Sequence, residues 1–131
     1  MRIVIDTNVI TSAVYFGGKP FDLLHLVMEQ KVNAYASESI VNEYEEILLR
    51  LQGKYPGLSR KIPFQDLIAR FHIINVKSDL QVCRDPDDDK FISCAVDGRC
   101  VYIVSGDKDL LDLKEHEGIE IVTVAEFLER F

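Results

Sequence analysis

Short apolar runs alternate with longer helix-period patterns from one end of this chain to the other, and that alternation constrains the fold more than any other feature. Arg2 to Ile5 reads as the first strand, a helix follows from about Asn8, and a second helix spans Pro20 to Gln30. Val32 to Ala36 is the second strand, and Ser37 or Ser39 can cap the long helix that runs to Leu51. The stretch "LQGKYPGLSRKIP" reads as a loop or broken helix, marked by Gly53, Pro56, Gly57 and Pro63. A short helix over Phe64 to Ala69 leads to the third strand, Phe71 to Val76. Asp85 is placed as an N-cap with Pro86 at the first helical position, and that helix stops at Gly98. Val101 to Val104 is the fourth strand, and a short helix covers about Asp109 to Leu113. Ile119 to Thr123 is the fifth strand, and Val124 to Phe131 closes the chain as a helix.

Such alternation predicts an α/β fold of three α/β/α layers around a central parallel five-stranded sheet, with residues 1–131 forming one domain. Right-handed crossovers then place every strand-to-helix loop at one edge of the sheet, where open parallel sheets bind their ligands. Asp6 stands there immediately after the first strand, and Asp107 three residues after the fourth. An ionised aspartate avoids the end of a buried apolar run unless something at that place needs it.

Composition removes several function classes. No run of about eighteen apolar residues exists and the N-terminus lacks a secretory pattern, so the expectation is a cytoplasmic protein with no membrane partner. Cys83, Cys94 and Cys100 show no Cys-x-x-Cys spacing and read as buried or idle thiols. His25, His72 and His116 are scattered, without a second ligand at helical spacing. A net charge of −7 argues against coating nucleic acid through bulk charge alone. Position matters more than the total, because four of the five residues from Asp85 to Asp89 are acidic and Asp107, Asp109 and Asp112 cluster again.

Helical arithmetic narrows those carboxylates. The helix after Pro86 has the apolar stripe Phe91, Ile92, Ala95 and Val96; Asp88 lies three and four residues before its first members and projects inward, while Asp87 and Asp89 fall further away. On the helix after Ser39 the stripe is Ile40, Tyr44, Ile47, Leu48 and Leu51. Glu43 and Glu45 border it on opposite sides, so geometry alone does not choose, although Glu43 is nearer the active edge. Asp85 and Asp107 each have a rival role as helix caps. Four convergent carboxylates without a matching set of Lys or Arg would repel one another, and oxygen-only ligands suit Mg2+ or Mn2+.

"IVIDTNVI", "SESIVNEYEEIL", "CRDPDDDKFISCA" and "IVSGDKDLLDL" resemble, in order and spacing, the PIN domain family, and most closely its toxin branch related to VapC-type ribonucleases. The resemblance implies catalytic carboxylates at Asp6, Glu43, Asp88 and Asp107, with Asp109 as an accessory metal ligand and Asn8 and Ser105 as polar support. It implies a metal-dependent ribonuclease that leaves a 5′-phosphate and a 3′-hydroxyl. A cognate antitoxin protein and a homodimer are partners expected by analogy. Arg50, Lys54, Arg60 and Lys61, with Tyr55 for base stacking, could line the RNA approach or simply form a solvated loop. Lys90 and Lys108 sit inside the acidic motifs, either balancing charge or serving the site.

Three rivals differ at identifiable residues. A haloacid-dehalogenase-type phosphatase needs Asp-x-Asp after the first strand, where this chain has Asn8 as the third residue. A signalling receiver domain needs an aspartate ending the third strand and a lysine ending the fifth, and Val76 and Val124 stand near those ends. A silent RNA- or protein-binding scaffold would not require all four acidic positions to be filled.

Overall fold

The computed structural model describes residues 1–131. Its first strand, β1 (Arg2–Ile5), carries Ile3, Val4 and Ile5 fully buried. An unbroken apolar run of this kind marks a strand covered on both faces, as a central parallel strand is. The chain continues through α1 (Thr7–Phe16), α2 (Gly18–Met28), β2 (Asn33–Ala36) and α3 (Glu38–Lys54). Then come α4 (Phe64–Ile68) and β3 (His72–Ile73), a single 3-10 turn at Pro86–Asp88, and α5 (Asp89–Asp97). The last elements are β4 (Tyr102–Val104), α6 (Lys108–Leu113), β5 (Glu115–His116), β6 (Ile119–Val122) and α7 (Val124–Arg130).

The sheet order is β3-β2-β1-β4-β6-β5. β1 pairs in parallel with β2 and with β4, so the winding runs outward in one direction through β3 and then restarts on the other side of β1. This reversal puts the topological switch point between β1 and β4, and right-handed crossovers place α5 on the face opposite α1 and α2. A cluster of 31 buried apolar residues fills the space between sheet and helices. The three-layer α/β/α architecture is therefore the one expected.

The strand count differs from expectation. β5 pairs antiparallel with β6 and makes the sheet six-stranded and mixed. His116 pairs with Ile119 across Glu117 and Gly118, which have φ of 50° and 83°. Two central residues at positive φ form the primed turn that matches the twist of a hairpin. Only Gly118 announces it in the sequence, because Glu117 is an unusual occupant of that conformation.

The third strand is also shorter than predicted. Only His72 and Ile73 pair with β2, and residues 77–83 leave the sheet to run along α5. Helix side chains take the place of a strand edge there. Asp97 accepts hydrogen bonds from the backbone N–H groups of Lys77 and Ser78 and from the Ser78 hydroxyl. The Ser93 hydroxyl accepts from Leu80 N–H at 3.3 Å. Asp89 Oδ1 accepts from Val82 N–H at 3.0 Å and Cys83 N–H at 2.8 Å. Residues 89, 93 and 97 recur every four positions and so form one row along the helix. The row turns 77–83 into a strap fastened to α5.

Helix ends follow ordinary capping chemistry. Ser37, not Ser39, caps α3 by accepting from Ile40 N–H, and α3 runs on to Lys54, past the predicted Leu51. The Tyr44 hydroxyl, fully buried on α3, donates to the carbonyl of Ile5 at the end of β1. That bond fixes the first turns of α3 beside the residue that follows, Asp6.

Hydrogen bonds from a charged acceptor to backbone donors contribute about 1.5–3 kcal/mol when protected and less when half-exposed. Asp97→Ala is therefore expected to cost about 1–2 kcal/mol. Native-state hydrogen exchange should show the amides of Lys77 and Ser78 losing protection ahead of those in β1.

Candidate functional site

The Asp6 backbone is committed to the fold at both ends. Its N–H donates to the Val104 carbonyl at 2.9 Å, extending the β1–β4 ladder by one residue. Its carbonyl accepts from Val9 and Ile10 to start α1, while the carboxylate makes no cap bond. The side chain is thus free for other work, yet only 5% of the residue is exposed.

Ser105, directly after β4 and fully buried, connects the two halves of the site. Its hydroxyl donates to Asp6 Oδ2 at 2.7 Å and accepts from Asp107 N–H at 2.9 Å. One serine therefore sets the spacing of two acidic residues across the switch point. Asp107 also caps α6, accepting from Asp109 N–H at 3.2 Å, so its capping and site roles coexist. Asp88 closes the 3-10 turn before α5, and its Oδ2 is buried with no hydrogen-bond partner.

Burial and mutual repulsion show in the acidities. Burial raises the Asp6 carboxyl above its ordinary range; Ser105 and the Thr7 N–H lower it in part, and Asp107 and Glu43 push it up again. Asp88 is raised to about 7, first by burial, then by the charge of Asp107 and a carboxyl–carboxylate hydrogen bond with it when Asp88 is protonated, and last by the charges of Asp6 and Asp85. In the ionised form Asp88 Oδ2 has no donor. No Lys, Arg or His forms an ion pair with Asp6, Asp88 or Asp107.

Glu43 joins this group from α3. Thr7 donates its hydroxyl to Glu43 Oε2, and the Lys90 ammonium lies 2.6 Å from Oε1. Glu45 is exposed on the outer side of the helix, so the tertiary structure brings Glu43 rather than Glu45 to the edge. As the side chains stand, no three of them close to metal-ligating spacing. The donor set nonetheless fits a hard divalent cation, since it consists of oxygens alone and includes the unpartnered Asp88 Oδ2. Asp6, Asp88 and Asp107 are the residues that would hold one.

Asp109 is turned outward to Arg84, whose guanidinium lies 3.3 Å from it and 2.8 Å from Asp112. Asp85 is exposed and caps the 3-10 turn by accepting from Asp87 N–H, acting on Asp88 only through its charge. Asn8 is exposed on the first turn of α1, lining a small cleft with Ser105 and Thr123. The basic loop is not brought to the carboxylates. Lys61 lies against Gly17 at the far end of α1, about 15 Å of helix from Asp6. Arg50 pairs with Glu46 at 2.8 Å and Lys54 lies over the Tyr55 ring, both on the last turns of α3, with Arg60 in the loop beyond. The thiols of Cys83, Cys94 and Cys100 are each pushed up to about 12, chiefly by burial, and stay protonated at neutral pH.

A groove of about 1200 Å3 opens beside the carboxylates rather than over them. The strap residues Ser78 to Gln81 form one wall, the start of α3 another, and Lys90 and Pro86 the end next to the acidic edge. Sequence reasoning passed over Thr7 and the strap row and left Lys90 open. The four-residue repeat of Asp89, Ser93 and Asp97 was a readable signal for the strap; nothing local pairs Lys90 with a glutamate 47 positions earlier.

With this geometry in place, two comparisons bear on the chain. A family model for the PIN domain matches residues 2–109. An uncharacterized protein of Methanocaldococcus jannaschii, MJ1680, is 34% identical over 146 aligned positions, spanning all of this chain and 92% of its own length.

Because Asp6 and Asp88 ionise less readily when folded, their contribution to metal-free stability is present below about pH 4 and lost as pH rises through their folded values. A cation that binds the ionised forms reverses this loss. Melting temperature measured with and without Mn2+ should therefore show a metal-induced gain that grows between about pH 5 and 8. Asp88→Asn is expected to shrink that gain.

Proposed function

This chain belongs to the PIN domain family, whose members are commonly nucleases, and we propose that it is a metal-dependent endoribonuclease. The single observation that supports this reading is the group of carboxylates at the switch point, Asp6 buried and Asp88 and Asp107 partly so, with no protein cation on any of the three and Asp88 Oδ2 left without a donor. Mg2+ or Mn2+ held there would supply an activated water and positive charge for the phosphoryl oxygens. Ser105 keeps the Asp6 carboxylate oriented, and the same hydroxyl holds the Asp107 backbone. The Tyr44–Ile5 bond holds α3 so that Glu43 faces the same edge. Attack of water on phosphorus with cleavage of the P–O3′ bond leaves a 5′-phosphate and a 3′-hydroxyl.

The likeness of the four acidic motifs to VapC-type toxins supports the toxin role in a toxin–antitoxin pair, with a cognate antitoxin and a homodimer as partners. A phosphatase reading loses its support, since the PIN match covers residues 2–109 and Asn8 stands where that class needs a second aspartate. The scaffold reading is separated by activity.

Purified protein should cut an end-labelled pool of structured and unstructured RNA with Mg2+ or Mn2+, and not with EDTA. Asp6→Asn is expected to lower the rate about a hundredfold or more. A folded, partner-free protein that cuts nothing under any of these conditions would return the chain to the binding-only reading.

A further inference from the structure

The four carboxylates at the sheet edge are not equivalent. Asp6, Asp88 and Asp107 have no cationic partner, whereas Glu43 is held by the Thr7 hydroxyl and by the Lys90 ammonium at 2.6 Å. Both ends of that ion pair are largely enclosed, with side-chain exposures of 24% and 25%. Such a pair is far less screened than a surface one, and removing one member leaves the other charge uncompensated. Lys90 is also held from its own helix, where its ammonium lies 5.7 Å from the centre of the Phe91 ring. It lines both the large groove and a second cleft of about 540 Å3 bounded by Glu38, Asn42 and Glu46. An ammonium has three N–H donors, and Glu43 uses one side of it.

Two-cation nuclease sites place positive charge on both sides of the scissile phosphate, with the ions about 3.5–4 Å apart. Here three carboxylates await one divalent ion, and the fourth already has its counter-charge. We infer that Lys90 supplies the second positive charge of this site, so that the chain takes a single divalent cation on Asp6, Asp88 and Asp107 and presents the Lys90 ammonium to a phosphate oxygen of bound RNA. This rests on the metal-nuclease reading above. It assigns Lys90 to substrate contact and removes Glu43 from the ligands of the resident ion, leaving it to position Lys90.

The test is Mn2+ stoichiometry on metal-free protein, by calorimetry or by electron paramagnetic resonance of the free ion. Wild type is expected to bind one Mn2+, Lys90→Arg one and Glu43→Gln one. Lys90→Met frees Glu43 and is expected to bind two. Two ions in the wild type, one in a folded Lys90→Met, or none in Glu43→Gln would each overturn the assignment. No ion in the wild type would overturn the metal-nuclease reading itself, a distinct result. If Lys90→Met fails to fold, Lys90→Gln takes its place, with the same count of two expected. In the Asp6→Asn background, adding Lys90→Arg should leave the salt dependence of single-stranded RNA binding in place. Adding Lys90→Met should lower the slope of log K against log salt by about 0.7, the share of one phosphate contact. An unchanged slope overturns that contact.

Discussion

Repulsion among three carboxylates is the constraint around which this protein is arranged. Asp6, Asp88 and Asp107 come from three separate segments, and none receives a protein cation. Left to themselves they would move apart, because like charges in a partly desolvated space disfavour one another's ionised forms. They are kept together by hydrogen bonds from neutral donors, most of them backbone N–H groups. Asp6 is fixed through its backbone between β4 and α1, Asp107 through Ser105, and Asp88 through the turn that Asp85 caps. The favourable energy of the sheet and core supports a local arrangement that is unfavourable without a counter-ion.

The parallel sheet makes that support possible. β1 is buried on both faces and paired on both edges, so the residue at its carboxyl end has almost no freedom. The switch between β1 and β4 opens a crevice at that same end, and the residues following both strands meet across it. Ser105 joins them. Its position costs little, since a buried hydroxyl with both a donor and an acceptor partner is fully satisfied.

Basic residues are distributed with equal selectivity. Arg84 is placed on Asp109 and Asp112 outside the group, and Lys90 on Glu43 within it. The strap from residue 77 to 83 leads directly to Arg84 and is fastened by Asp89, Ser93 and Asp97. The carboxylates of the acidic motifs therefore divide by task. Asp85 and Asp89 organise backbone, Asp88 turns inward, and Asp109 takes a surface ion pair.

Much of this was legible without coordinates. The period of the apolar residues determined the order of strands and helices, and the crossover rule determined that Asp6 and Asp107 share an edge. The inward stripe of α5 singled out Asp88, because a helix face is a property of local spacing. The extra strand, β5, was hidden because its turn has only one glycine, and the third strand was overestimated because α5 side chains, rather than a neighbouring strand, take up the backbone of 77–83. Helix spacing left Glu43 and Glu45 equal and motif likeness favoured Glu43; tertiary structure brought Glu43 to the edge, put Lys90 beside it, and left the basic loop a helix length from the carboxylates. Those outcomes depend on how α1, α3 and α5 dock on the sheet, and docking brings together residues whose separation along the chain carries no periodic signal.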